Sequence, residues 1–393
     1  MVTERSSPPT APNRMRILFV EPFHSGSHAA FAATLMTGVD AEWQVLRMPG
    51  HHWKWTMRSA PARWALESAD LLQGDWDLIW ASSFTPLAEL RGLVPSLART
   101  PAILHFHENQ LAYPTREPTQ PARDLHYGVT QMTSCLAADL CLFNSEYNRD
   151  SFVAEARELL RRMPGKNPEA WADAIERRSV VLGLPLDLPR VPTNSLGESP
   201  STDRSRGPVL LWNHRWEHDK DPKTWFDVVR ALAERDVPYR VIVCGEQFRE
   251  SPPEFEAARP WLGNRIVHWG FAPSREGYVE LLRQSQIALS TARHEFFGIA
   301  MLEATHHGAH PLVPDRLVYP EQFPSEFRYR SEPELIERLA EACTAWSEGQ
   351  LDLRADRRYL TDPHEKDRRL PHYRELIRQV ATDGRTGGPA GLP

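Results

Sequence analysis

No stretch of the chain approaches ~18 consecutive apolar residues, the length a membrane-spanning helix needs, so none is expected among its 393 residues. An apolar secretory region is missing as well. The opening "MVTERSSPPTAPNR", residues 1–14, is polar and proline-rich and reads as a disordered leader rather than a signal peptide. Cysteine is scarce: Cys135, Cys141, Cys244 and Cys343 are the four present, all in apolar stretches and without C-x-x-C spacing. They fit small core residues of a reduced, cytoplasmic protein. No His, Asp or Cys cluster has ligand spacing, so no metal is expected. Basic excess is also lacking. A net charge of −6 removes global charge as an argument for nucleic acid, although a local basic patch suffices for RNA. Neither G-x-G-x-x-G nor G-x-x-x-x-G-K-[ST] occurs, which disfavours a standard dinucleotide fold and a P-loop.

What is present has a clear rhythm. Hydrophobic residues make up 41% and charged residues 25%, as in soluble globular proteins, and the length implies two domains of ~150–200 residues. "MRILFVEPF" (15–23) reads as a strand, "HSGSH" as a turn of small residues and "AAFAATLMTGV" as a helix. Further strands are expected in "DWDLIWASSF" (75–84), "TPAILHFHENQ" (100–110), "CLFNSEYN" and "SVVLGLPLDL" (179–188), with a helix over 124–140. Residues 189–208, rich in Pro, Ser and Gly, read as a linker. The alternation then restarts at "PVLLWNHRW" and runs through "YRVIVCGE", "RIVHWGFAP", "IALSTARHEFFG" and "AHPLVPD". Near-continuous apolar strands alternating with helices predict an α/β fold of parallel sheets covered on both faces. The expected division is a Rossmann-like domain over 15–188, a second over 209–360, a helix over 361–382 returning to the first, and a disordered tail over 383–393. Ligands of such sheets bind beyond the carboxyl ends of the strands, so the cleft between the domains is the expected site.

In "ARHEFFGIAMLEATHHGAH" (292–310) Glu295 and Glu303 flank Gly298. A helix starting there turns free N–H groups towards an anion, and glycine permits close approach. Glu303 lies about a turn and a half into that helix, roughly 8 Å along its axis. A ligand with a central diphosphate and a polyol at each end fits this spacing; a nucleoside-diphosphate sugar is one. A capping glutamate and a surface glutamate are the bland alternative. "WNHRWEHDKDP" (212–222) sets Arg215 and Lys220 on a loop of the same rim, a fork and a point charge for a diphosphate leaving group, or else two solvated charges. In "HFHENQLAYP" (105–114), Phe106 is expected to pack, while His107, Glu108 and Asn109 follow a strand and point at the cleft. Gly26 and Ser27, in the first small-residue turn, are candidates to approach a phosphate or acceptor. "HHWKWTMRSAPARW" (51–64) interleaves Trp53, Trp55 and Trp64 with Lys54, Arg58 and Arg63 and has no acid. Rings that stack unpaired bases beside cations for phosphates grip looped RNA; core tryptophans with snorkelling cations are the other reading.

The longer strings carry a resemblance. "HRWEHDKDP", "HEFFGIAMLEA", "LVYPE", "HFHENQLAYP" and "ADLCLFNSEYN" resemble the tRNA-queuosine α-mannosyltransferase family, GT-B retaining glycosyltransferases of the family 4 type. The likeness runs from about Ile17 to Phe327. It implies transfer of mannose from GDP-mannose, with retention of configuration, to the cyclopentenediol of queuosine in the anticodon loop of tRNA-Asp. It implies His107 and Glu295 as catalytic residues, with Glu295 on the sugar hydroxyls and His107 beside the mannose. The donor would be held by Arg215, Lys220, Phe297, Gly298, Ile299 and Glu303, with the loop around Phe271 to Pro273 facing guanine, largely through its backbone. Gly26, Ser27, His28, Trp53, Lys54, Trp55, Arg58, Asn109 and Gln110 would take the acceptor RNA. No cofactor, metal or membrane is implied; the departing phosphate would deprotonate the incoming hydroxyl. One departure is the short linker where animal members carry a long polar insertion before "HRWEHDKDP", which leaves another tRNA or another diol open as acceptor. A glycosyltransferase of this fold using another nucleotide sugar on a lipid or small acceptor, and a catalytically silent RNA-binding protein, remain the alternatives.

Overall fold

The apolar runs pair as strands, and every strand pairing is parallel. A computed structural model describes residues 14–113, 125–163, 169–189, 203–247 and 252–386. Its first lobe holds β1 (Arg16–His24), β2 (Glu42–Pro49), β3 (Leu78–Ser82), β4 (Ala102–Phe106), β5 (Leu140–Phe143) and β6 (Ser179–Val181), in the order β2-β1-β3-β4-β5-β6. The second holds β7 (Val209–Trp212), β8 (Arg240–Cys244), β9 (Ile266–Gly270), β10 (Ile287–Leu289), β11 (His310–Pro314) and β12 (Arg328–Tyr329), in the order β12-β11-β10-β7-β8-β9. Each lobe is thus an α/β sheet with a reversal of strand order near its centre, the place where such sheets open a crevice.

Alternation along β1 explains why both faces need cover. Ile17 and Phe19 point into a cluster with Phe31, Leu35 and Tyr373. Leu18 and Val20 point the other way, onto Trp64, Met132 and Phe152. A strand's period of two forces this split, and helices on both sides bury it. The long helix Lys366–Thr386 supplies one cover after the chain has left the second lobe. Its Tyr373 ring lies 5.8 Å from Phe31 and 6.0 Å from Trp80, and Arg374 Nε donates to the Gly38 carbonyl at 2.7 Å.

The structure revises several sequence expectations. That final helix continues to Thr386, beyond the expected tail boundary at 383; residues 387–393 lie outside the described residues, as do 1–13 and the linker core 190–202. The linker's end is ordered: Asp203 caps a short turn, Arg204–Arg206, and Arg204 Nη1 reaches the Trp346 carbonyl at 2.6 Å. The strand expected over 179–188 pairs with the sheet only through Val181; past Gly183 the chain leaves it, and Leu186 forms an isolated bridge with Glu365 ahead of the C-terminal helix. The Trp-rich 51–64 stretch is mostly helix, Trp53–Glu67. Among the described residues no helix is long and apolar enough to cross a membrane.

Candidate active site

In the second lobe the loops after β7 and β10 are stitched together around one lysine. Lys220 Nζ donates to the His294 carbonyl at 2.7 Å and pairs with Asp219 at 3.0 Å and Glu295 at 3.2 Å. Two of the ammonium protons go to the His294 carbonyl and Glu295, with Asp219 beside them as an ion pair. Thr291 Oγ1 bonds the carbonyls of Lys220 and Asp221, both at 3.0 Å, while the Arg293 N–H reaches the Asp219 carbonyl at 2.8 Å. Glu295 also accepts from the backbone N–H groups of Phe296 at 3.1 Å and Phe297 at 3.3 Å. Burial pushes its carboxyl up, but the Lys220 ammonium and the N–H groups of Gly298 and Phe297 outweigh it, leaving a value of about 2. Lys220 is correspondingly raised: burial opposes its charge, and Glu295 and Asp219 more than restore it. Burial, and then Lys220, hold His214 and His294 down to about 4, so both imidazoles are neutral near pH 7.

Gly298 precedes the helix Ile299–His306 with φ +73°, and a Cβ there would come within 3.2 Å of Gln322 and Tyr319. Glycine is what lets the chain turn so close to them. On the next turn Glu303 accepts from the Tyr278 hydroxyl at 2.9 Å and pairs with Arg275 at 2.7 Å. Arg215, half-exposed, pairs with Glu217 at 3.2 Å. Phe271 stands 65% exposed just past β9, free to lie against a flat ring. The Phe297 side chain, by contrast, is buried against His364 and belongs to the core; only its backbone serves the site.

The first lobe presents histidine. His107, just past β4, lies tilted 4.2 Å from His28 and edge-on 4.4 Å from His105. Burial, then His28 and His105, hold it well below the ordinary imidazole value, so it is neutral. Gly26 (φ +50°) and Ser27 are exposed in the first turn of the helix Gly26–Gly38. Asn109 is a correction: it is fully buried, donates to Asn148 and Ser151, and accepts from the Ala112 N–H at 2.7 Å. Its amide is spent on shaping the loop, so it does not face an acceptor. Gln110 is likewise engaged inside the lobe, through Gln131 at 2.8 Å and Glu108 at 3.1 Å.

The aromatic-basic stretch divides by helical face. Trp64 is buried and Trp53 half-buried, whereas Trp55 is 70% exposed. Lys54 Nζ sits 5.5 Å from the Trp53 ring centre, and Arg58 sits over Tyr127 at 5.5 Å. Arg63 is taken by Glu67 at 2.8 Å. Rings connect this patch to the histidines: Trp53 lies 5.6 Å from Phe84, and Phe84 lies 5.6 Å from His28.

The walls touch. Ser145 Oγ donates to the Phe296 carbonyl at 2.7 Å, and Tyr113 rests its ring 4.4 Å from His294. Glu321 of the second lobe accepts from the N–H groups of Glu146 at 3.0 Å and Tyr147 at 2.6 Å, the start of the first-lobe helix Glu146–Arg162. A carboxylate at a helix N-terminus is favourable, and here it ties the lobes together.

Comparison with known proteins agrees with this geometry. Residues 16–186 match the family model for the tRNA-queuosine alpha-mannosyltransferase N-terminal region, and 199–361 match glycosyl transferases group 1. The tRNA-queuosine alpha-mannosyltransferase of Drosophila melanogaster is 40% identical over 333 residues, which is 83% of this chain and 86% of that one. This chain belongs to the tRNA-queuosine alpha-mannosyltransferase family. A more distant relative is the GDP-mannose:cellobiosyl-diphosphopolyprenol alpha-mannosyltransferase of Xanthomonas campestris. It is 28% identical over 113 residues, covering 28% of this chain and 30% of that one. Trehalose-6-phosphate synthase OtsA shares the fold, with a TM-score of 0.66 at 13% identity, covering 94% of this chain and 99% of that one. The fold is therefore GT-B, and the chain of this mannosyltransferase family is a glycosyltransferase with its cleft between two Rossmann-like lobes.

Sequence reasoning passed over several residues of this cleft. Arg275 and Tyr278 hold Glu303, and a Ser274 cap ahead of a polar helix gave no hint of it. Asp219 and His294 were visible inside quoted motifs, yet only folding shows them against Lys220. Glu21 sits within an apolar strand and is 0% exposed; a lone acid in such a run was the available signal.

Proposed function

We propose that this protein transfers mannose from GDP-mannose, with retention of configuration, to the cyclopentenediol of queuosine in the anticodon loop of a tRNA, tRNA-Asp being the expected one. The observation that carries the reading is the 40% identity to the fly tRNA-queuosine alpha-mannosyltransferase across 83% of the chain. The Glu295–Lys220 pair at the mouth of the second lobe supports it. The name of the Xanthomonas relative includes GDP-mannose, which supports the donor.

In this reading Glu295 takes mannose hydroxyls, and in doing so releases an ammonium proton of Lys220 for the diphosphate. Arg215 turns from Glu217 to the same phosphates, joined by the backbone N–H groups of Gly298 and Ile299. Glu303, already oriented by Tyr278 and Arg275, receives the ribose, and Phe271 covers guanine. Neutral His107 stands beside the anomeric carbon. The protein's work is orientation and neutralisation of a departing diphosphate. Cations from the chain do this, so no metal and no cofactor enter the reading. The acceptor loop runs along the first lobe past Gly26, Ser27 and His28, with bases on Trp53 and Trp55 and phosphates on Lys54 and Arg58. The reaction is placed in the cytoplasm, in keeping with four buried free thiols.

The test is incubation of queuosine-containing tRNA with labelled GDP-mannose, beside the same tRNA lacking queuosine. Label in the first alone is the expected result. Folded protein that labels neither rules the reading out.

A further inference from the structure

The buried carboxylate of Glu21 has a complete set of partners. Its Oε1 accepts from the Ser82 hydroxyl at 2.8 Å and the Phe23 N–H at 2.9 Å, and its Oε2 meets His28 Nδ1 at 3.0 Å. An ionised carboxylate only accepts, so Nδ1 of His28 carries a proton and the neutral ring presents a bare Nε2. Among the described residues that Nε2 has no hydrogen bond, and it is not sealed from solvent. The ring is fixed by Phe23 at 5.8 Å, Phe84 at 5.6 Å and His107 at 4.2 Å. It stands in the first turn of the helix Gly26–Gly38, beside exposed Gly26 and Ser27, with Glu108 and Arg215 near enough to act on its charge.

We propose that His28, held by Glu21, takes the proton of the acceptor hydroxyl as that oxygen attacks the sugar. This rests on the acceptor entering along the first lobe as described above. On the face that the phosphate leaves, so that configuration is retained, the bond from the acceptor oxygen to the anomeric carbon forms as the bond from that carbon to the phosphate oxygen breaks. The hydroxyl proton passes to Nε2 of His28 and from there to solvent, while the nucleoside diphosphate departs with its electron pair. His28 lies one ring away from His107, beside the sugar, so base and reaction centre are neighbours without occupying the same place.

The charges facing His28 set its titration. Glu21 lies on its own side, His24 at the strand end, His105 and His107 across the ring cluster, and Glu108 and Arg215 at the cleft. Burial disfavours the imidazolium, but the charge and hydrogen bond of Glu21, together with Glu108, more than offset it, and the value is raised from 6.5. Its two neighbouring histidines are neutral, so the proton has one imidazole to go to. A general base near the working pH contributes ~10²–10⁴-fold to a rate.

The experiment is the pH dependence of kcat for transfer to queuosine-containing tRNA, with donor and acceptor saturating, in wild type, Glu21→Gln, His28→Gln and His28→Ala. In wild type the rate falls on the acid side. Glu21→Gln removes the charge that raises His28, so its acid limb moves to lower pH. His28→Gln loses ~10²-fold or more, while GDP still raises the melting temperature of each variant as it does in wild type. Added imidazole restores part of the His28→Ala rate, which a purely structural role would not allow. An acid limb that stays put in Glu21→Gln, with His28→Gln within about threefold of wild type, overturns the proposal and leaves the departing diphosphate as the proton acceptor. Wild type that labels no tRNA overturns this role together with the acceptor assignment.

Discussion

The two walls of the cleft are made of different chemistry. The second lobe lines it with formal charges locked in pairs, Lys220 between Asp219 and Glu295, and Glu303 against Arg275. The first lobe lines it with imidazoles packed against one another and against Phe31. Locked by Lys220, Glu295 is held at about 2. Of the packed rings, His28 alone is raised while His105 and His107 are lowered. The lesson is a division of labour. In the proposed reading one wall is a fixed electrostatic mould for a diphosphate sugar, and the other holds an imidazole whose carboxylate partner raises its value.

The sharpest way to break that contrast is Lys220→Met, which leaves two buried carboxylates without their ammonium. Removing one partner of a buried ion pair costs ~3–5 kcal/mol, and urea unfolding should register a loss of that order. A variant as stable as wild type would mean the second wall is not locked. Glu295→Gln is next. Transfer should drop ~10²–10³-fold, the loss typical of removing one group aimed at developing charge. Affinity for tRNA, measured by filter binding, should hardly change, because in the proposed reading RNA approaches from the other wall.

A milder change sharpens the first side. Trp55→Ala should weaken tRNA binding by ~1–3 kcal/mol, the contribution of one stacked base, and leave both the melting temperature and the GDP-induced shift as they were. An unchanged tRNA affinity would move the RNA off this helix face. The smallest effects concern stability against pH, and they have opposite signs on the two walls. Glu295 is depressed from 4.5 to about 2, so its contribution is complete above 4.5 and is lost as pH falls towards 2. His28 is raised from 6.5, so its contribution is complete below 6.5 and is lost as pH rises through the folded value. Melting temperatures of Glu295→Gln and His28→Gln, followed from acid to alkaline pH, should each flatten one side of the wild-type curve and spare the other.

Much of the frame was legible from residues alone. Unbroken apolar runs alternating with helices can only satisfy both faces of a parallel sheet, and the paired strands follow those runs closely in "RILFV" and "RVIVC". The edge strand Glu42–Pro49 was missed because its alternate side chains are partly exposed and its pattern is interrupted. The tryptophan-rich stretch was ambiguous because a helix sends Trp55 and Trp64 to opposite faces, and periodicity without a known core direction does not say which is wet.

The chain's order of residues thus determined the α/β class, the two lobes and the motifs at the strand ends, since hydrophobic period and turn chemistry act over a few residues. Tertiary structure decided the rest. Lys220 and Glu295 are 75 positions apart, and Asn109 closes on Asn148 across 39. Whether a polar side chain meets a ligand or another side chain depends on which distant loops are brought against it. Glu21 reads as an oddity in a strand until folding places Ser82 and His28 around it. Desolvation and pairing are properties of that assembled surrounding, and they are what set the charge on each wall.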